Sequence, residues 1–94
     1  MLDLGHLHVS CRTLGLDFGE QARRLLPCSS YLHLSSNDGL RDSNGEFLRE
    51  SPEWTALTAT PPAAPCRITL EVYTGLPSLR RSRKLLEEFR DAES

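Results

Sequence analysis

The sequence predicts an α/β fold in which short parallel strands alternate with helices. The prediction depends on three short segments rich in aliphatic, β-branched and aromatic residues, at 2–4, 30–34 and 67–73, and on the capped helical segments between them. Strands separated by helices are typical of parallel β/α units with right-handed crossovers. Apolar residues make up 38% and charged residues 26% of the 94 residues, as in ordinary folded proteins, and a chain of this length forms one domain at most.

The first strand is predicted at the very start of the chain, where M-L-D-L resembles the end of a buried strand without a polar lead-in. A polar connection is expected after it. Asp17 then indicates a helix start, because its side chain can accept free N–H groups and Glu20, three residues later, can complete a capping box. Pro27 is expected to close this helix.

The second strand, S-Y-L-H-L at 30–34, leads into the turn-forming run S-S-N-D-G and a long loop. Ser51 as N-cap and Pro52 at the first helical position predict a short helix through Leu57, and the proline-rich stretch 60–65 is a stiff connector.

The third strand, at 67–73, is the clearest in the chain. Ser78 is expected to cap a final helix with one apolar face, made of Leu79, Leu85, Leu86 and Phe89. The basic residues 80–84 are predicted to form the solvated outer face of that helix.

Charge and cysteine usage exclude several classes of protein. A net charge of −2 and a pI near 5.9 give no general attraction to nucleic acid or anionic lipid. The three cysteines lack C-x-x-C spacing, so we expect reduced thiols in a cytoplasmic protein. No apolar run approaches the roughly 20 residues of a membrane span, and no signal peptide is recognisable. We therefore predict no nucleic-acid partner and no membrane partner.

Candidate metal ligands lie at or just beyond the carboxyl ends of all three predicted strands. Asp3 and His6 follow the first strand, His33 lies on the second and Glu71 on the third. In parallel β/α folds these ends form the active site. Asp, His and Glu together suit Mn²⁺, Mg²⁺ or Zn²⁺. A lone strand His is more often structural and an isolated Glu is usually solvated, but the shared location favours a metal site.

Three segments resemble motifs of the xylose isomerase-like TIM barrels, a superfamily that includes sugar phosphate isomerases/epimerases and endonuclease IV-type enzymes. Residues 2–6 (L-D-L-G-H) resemble a D-x-G-H signature, residues 31–39 resemble the H-L-x-D-N-D-G strand and loop, and residues 69–73 resemble the closing L-E strand. The resemblance implies a partial (β/α)8 TIM barrel. Residues 1–94 would form its C-terminal portion, with the last three β/α units.

The resemblance also implies a role for each matching residue. Asp3, His33 and Glu71 would be metal ligands, and Glu71 would in addition be catalytic, moving a proton on the carbon next to a metal-polarised sugar carbonyl. His6 would bind the sugar or sugar phosphate substrate or, as in the endonuclease-like members, a further metal. The family's other glutamate comes from an earlier strand, so we expect a fragment of a metal-dependent sugar phosphate isomerase/epimerase-like enzyme that is inactive alone.

Two alternatives stay open at this point. An endonuclease IV-like phosphodiesterase remnant would carry D-x-H where residues 42–44 read D-S-N, and Asn is a poor zinc ligand, so the sugar enzyme is favoured.

Arg41 and Arg49 in this loop can bind a substrate phosphate or hydroxyl, although solvated arginines are the simpler interpretation.

The second alternative is a non-catalytic β/α module. Three strands cannot close a barrel, so such a module would associate with a partner chain, or with itself, through its open edge.

Overall fold

A three-stranded parallel sheet organises the chain, and a computed structural model describes residues 1–37, 39, 43–62 and 66–93. In chain order the elements are β1 (Leu2–Asp3), α1 (Leu4–Leu14), α2 (Phe18–Leu25), a 3-10 turn (Leu26–Cys28), β2 (Tyr31–Leu34), α3 (Pro52–Ala59), β3 (Arg67–Leu70) and α4 (Leu76–Glu93). The predicted α/β class with parallel strands is confirmed.

The strand order is β1-β2-β3, and the register gives the sheet two chemically different faces. Leu2 pairs with Leu32, which pairs with Ile68, whereas Asp3 pairs with His33, which pairs with Thr69. Paired residues point to the same side of a sheet and successive residues to opposite sides. One face is therefore aliphatic and the other carries the polar side chains. Leu32 and Leu34 are fully buried, while Tyr31 and His33 are half-buried.

The polar connection expected after β1 is wrong, because residues 4–14 form the helix α1. Asp3 caps this helix by accepting a hydrogen bond from the backbone N–H of His6 at 2.9 Å. Gly15 ends it in the left-handed conformation, with φ of 72°, and donates its N–H to the Arg12 carbonyl. Leu4, Gly5 and Cys11 supply the buried positions.

The next two helices begin as predicted. Asp17 accepts the Glu20 N–H at 3.0 Å and so caps α2. Ser51 precedes Pro52 at the start of α3, but its hydroxyl accepts from the Leu48 N–H at 2.8 Å rather than from an amide of the helix. The helix continues to Ala59, two residues beyond its expected end.

The third strand is shorter than predicted and ends at Leu70. Glu71 still donates its N–H to the Leu34 carbonyl at 3.0 Å, but Tyr73 donates to the Asn44 carbonyl at 2.8 Å instead. The chain thus leaves the sheet to follow the loop after β2. Helix α4 starts at Leu76, so the predicted cap residue Ser78 lies inside the first turn.

A single apolar core joins the aliphatic face of the sheet to the helices. Trp54 stacks on Phe47 with ring centroids 5.3 Å apart and meets the edge of Phe89 at 5.5 Å. Such aromatic pairs contribute roughly 1 kcal/mol each beyond their burial. The buried members are Leu4, Ala22, Leu26, Leu32, Leu34, Phe47, Trp54, Leu57, Val72 and Leu86.

The outer face of α4 is basic and exposed, as predicted. Arg81 forms two hydrogen bonds to the Glu46 carboxylate, at 2.8 and 2.9 Å, and Arg83 pairs with Glu87. Within the parts of the chain that the structure describes, no helix combines the length and the apolarity that crossing a bilayer requires.

Candidate metal centre

Asp3 occupies the junction between β1 and α1. It is the last residue of β1, with φ of −106° and ψ of 107°, and the N-cap of α1. One carboxylate oxygen, Oδ1, accepts the His6 N–H, and the positive end of the helix dipole favours a negative charge here. The cap therefore fixes the carboxylate at the carboxyl end of the sheet.

His33 and Glu71 are brought to the same place by strand register. His33 is paired with Asp3 across the β1–β2 ladder, and Glu71 immediately follows β3, where its N–H bonds to β2. Because side chains alternate along a strand, Asp3, His33 and Glu71 project from the same face. The His33 ring packs against Tyr31 with centroids 5.1 Å apart, which restricts its rotation.

The three side chains converge on one point. One ligand atom from each of Asp3, His33 and Glu71 lies within 4.8 Å of the other two. His33 Nδ1 is in direct contact with Glu71 Oε1, and the two side chains are only 22% and 19% exposed. The Tyr73 hydroxyl donates to Glu71 Oε2 at 3.4 Å. The predicted metal ligands therefore form one half-buried cluster, which we call the Asp3–His33–Glu71 cluster.

The donor set fits a divalent cation of the predicted kinds. The two carboxylates supply two oxygen ligands and two negative charges, and the imidazole supplies one nitrogen ligand. This combination is found with Zn²⁺ and Mn²⁺. Ligand atoms bound at about 2.1 Å lie no more than roughly 4.2 Å apart, so small side-chain rotations suffice to bring all three onto one ion. Among the described residues, no other group of three or more His, Cys, Asp or Glu side chains converges in this way.

The other predicted site residues are not part of this cluster. His6 lies on the first turn of α1, and its backbone N–H contacts Asp3 while its side chain is exposed. Arg49 is paired with Glu88 of α4 at 2.9 Å, on the surface. Arg41 and Asp42 lie outside the described residues. Substrate binding by His6, Arg41 and Arg49 stays a prediction.

A second polar group was not predicted from the sequence. Glu53 of α3 is fully buried, and its two oxygens contact His8 of α1 and Ser36 of the loop after β2. Glu53 directly follows Ser51-Pro52 and so has the sequence context of an exposed acid in the first turn of a helix. Only the spacing of His8 from Leu4 and Cys11 hinted that this histidine faces inward.

A cleft of about 620 Å³ lies elsewhere, bordered by α2 and α3 with His8 at its wall. Its charged residues, Asp17, Glu20 and Arg23, have opposite signs, and none belongs to the cluster. We place the candidate site at the cluster rather than in this cleft, because among the described residues three or more His, Cys, Asp or Glu side chains converge at the cluster alone.

The three thiols are free and do not extend the site. Burial raises the pKa of the Cys11 thiol, and the nearby Asp17 carboxylate adds to the increase. Burial also raises the pKa of Cys66, although the Arg90 guanidinium opposes this. Both thiols are therefore held in the protonated form, which is a poor nucleophile and a poor ligand.

No protein-family model matches this chain, and neither does a curated protein or a solved structure. The resemblance to xylose isomerase-like barrels therefore stays a prediction made from its motifs.

Proposed function

We propose that Asp3, His33 and Glu71 bind one divalent cation, Mn²⁺, Mg²⁺ or Zn²⁺. The observation that carries this proposal is the convergence of their ligand atoms to within 4.8 Å from the carboxyl ends of three adjacent parallel strands. Half-burial supports it as well, because a partly dry site strengthens the attraction between carboxylates and a cation.

We further propose that the cluster belongs to a metal-dependent sugar phosphate isomerase/epimerase-like centre in a partial (β/α)8 barrel. A cation bound here would supply Lewis-acid polarisation of a sugar carbonyl. The Glu71 carboxylate would take up the proton from the adjacent carbon, and the Tyr73 hydroxyl would hold its second oxygen in position. His6, one turn into α1, would contact the sugar.

The same proposal accounts for an expected lack of activity in the isolated chain. The enzymes that the three motifs resemble move the proton with two glutamates, and the second comes from a strand earlier than the three described here. Besides Glu71, the cluster holds one carboxylate, Asp3, which caps α1 and which the proposed site uses as a metal ligand. The remaining strands of a closed barrel would supply the second proton-transfer group.

Isothermal titration with Mn²⁺ and with Zn²⁺ tests the cation site. Wild-type protein should bind one ion, and Asp3→Ala and Glu71→Ala should each weaken binding at least tenfold. Glu87→Ala is the matched control, because Glu87 is an exposed carboxylate on α4 outside the cluster. Binding that both cluster substitutions leave unchanged would overturn the proposal.

A rival proposal is the non-catalytic β/α module. In the described sheet β1 and β3 are the outer strands, each paired on one side only, and Tyr73 beside β3 is 70% exposed. Unpaired strand edges are templates for pairing with another chain. Sedimentation equilibrium separates the two proposals. Concentration-dependent association without cation binding favours the module, whereas a monomer that binds one ion favours the metal centre.

A further inference from the structure

Glu53 is a fully buried carboxylate that the proposed metal centre does not use. It is the second residue of α3 and is 0% exposed. His8 Nδ1 lies 2.6 Å from its Oε1, and the Ser36 hydroxyl donates to its Oε2 at 2.9 Å. A buried carboxylate is costly unless both oxygens have partners, and here both do.

The two partners belong to two of the three chain segments that carry cluster residues. His8 lies on α1, the helix that Asp3 caps, and Ser36 follows β2, the strand that carries His33. A third bond joins the same segments directly, since the Asn37 side-chain amide donates to the Gly5 carbonyl at 2.9 Å. Helix α3 itself contributes no side chain to the cluster.

We infer that Glu53 is a positioning residue for the Asp3–His33–Glu71 cluster. Its carboxylate ties the N-terminal half of α1 to the end of β2, and so fixes the separation of Asp3 from His33. Since Glu53 has no access to solvent, water cannot replace either partner when the two segments shift. The part of this inference that concerns ion affinity rests on the proposed cation site.

A Glu53 that only stabilised the fold would produce a different result. Its loss would lower stability, but the cluster of the molecules that remain folded would be unchanged. A positioning role requires that the cluster itself change in the folded protein.

Variants of the full chain distinguish these roles. Glu53→Leu removes the contacts with both His8 and Ser36, and Ser36→Ala removes only the second. Glu53→Gln keeps the side-chain volume and a polar atom for each partner. Leu57→Val is the matched control, because Leu57 is fully buried on the same helix and lies outside the polar network. Should Glu53→Leu fail to fold, Ser36→Ala carries the test.

Two readouts are taken under conditions in which each variant is folded. One is Mn²⁺ affinity by titration, and the other is the NMR shift of the His33 ring in metal-free protein. Glu53→Leu should weaken Mn²⁺ binding about tenfold and shift the His33 signals, and Ser36→Ala should act in the same direction less strongly. Glu53→Gln and Leu57→Val should stay within about threefold of wild type.

Unchanged His33 signals and affinity in both Glu53→Leu and Ser36→Ala would overturn the inference, and so would equal losses in Leu57→Val. A wild-type protein that binds no Mn²⁺ contradicts the proposed function instead. In that case the His33 shift in metal-free protein still decides whether Glu53 positions the cluster.

Discussion

Two histidine–glutamate pairs in this molecule share one local chemistry and differ in their surroundings. In both pairs the His Nδ1 contacts a Glu Oε1. His33 and Glu71 lie at the carboxyl end of the sheet and are about one-fifth exposed. His8 and Glu53 lie between helices, with the Glu53 side chain completely inaccessible.

The two pairs contain the same residue types, so what distinguishes a candidate ligand site from a structural contact is solvent access. A ligand can reach the first pair and cannot reach the second. In the proposed metal centre the Glu71 carboxylate would exchange its contacts for an ion, since it lies near Asp3 and is about one-fifth exposed. Both oxygens of Glu53 are already bonded to protein groups and cannot meet a ligand. We expect substitutions in the two pairs to affect different properties.

The largest difference is expected in stability. Glu53→Leu should lower the free energy of unfolding by about 3 kcal/mol, because His8 and Ser36 lose a buried partner. Glu71→Leu should lower it less, by roughly 1 kcal/mol, since His33 and Glu71 are about one-fifth exposed and water can reach the groups left without a partner. Urea denaturation of both variants gives the comparison, and equal losses would remove the distinction between the two pairs.

The second prediction concerns how much an added cation stabilises the protein, which should depend on one His–Glu pair and not on the other. Mn²⁺ or Zn²⁺ at a hundredfold excess over its dissociation constant should stabilise the wild-type protein by about 2.7 kcal/mol. The gain should disappear in Glu71→Ala and persist in Glu53→Gln. Thermal denaturation with and without the ion, with EDTA-treated protein as the reference, measures it.

Asp3 allows a finer test, because it caps α1 and also belongs to the Asp3–His33–Glu71 cluster. Asp3→Ala should cost about 1 kcal/mol of stability through loss of the α1 cap. Asp3→Asn should retain the cap within a few tenths of a kcal/mol, as Asn is an equally good N-cap residue. Both variants should lose the stabilisation by cation. An Asn variant that still responds to the ion would show that the Asp3 carboxylate is not a ligand.

The smallest expected effect comes from a pair on the surface, Glu46 with Arg81. The hydrogen bond from Arg81 lowers the pKa of the Glu46 carboxyl. A carboxyl whose pKa is lower in the folded state stabilises the fold above its unfolded pKa, and this stabilisation is lost as the pH falls through the lowered value. Below roughly pH 4 the wild-type protein should lose slightly more stability than Glu46→Gln. Acid titrations followed by circular dichroism measure the difference.

The sequence predicted the cluster because strands have a simple geometry. Asp3, His33 and Glu71 each lie at or next to the carboxyl end of a recognisable strand, and parallel strands bring these ends to one edge of the sheet. The starts of α2 and α3 were also predicted correctly, because Asp17 and Pro52 are local signals for the first residues of a helix.

Helix α1 and the Glu53 network could not be predicted in the same way. Gly5 in the first turn and a mostly polar run from Ser10 to Thr13 gave α1 the composition of a connection, and its stability comes from packing instead. His8 and Glu53 are 45 residues apart in sequence, and their contact depends on how two helices and a loop assemble. No pattern of neighbouring residues predicts the contact between His8 and Glu53.

If the cluster binds a cation as proposed, the N-cap position of Asp3 would couple ion binding to the opening motions of α1. The first turn of a helix frays more readily than its middle, and here the fraying movement would release the carboxylate that the cation needs. An ion that holds Asp3 in place also holds the bond to the His6 amide. Hydrogen exchange at the His6 amide should therefore slow as the site fills, so one backbone proton would report the occupancy of the metal centre.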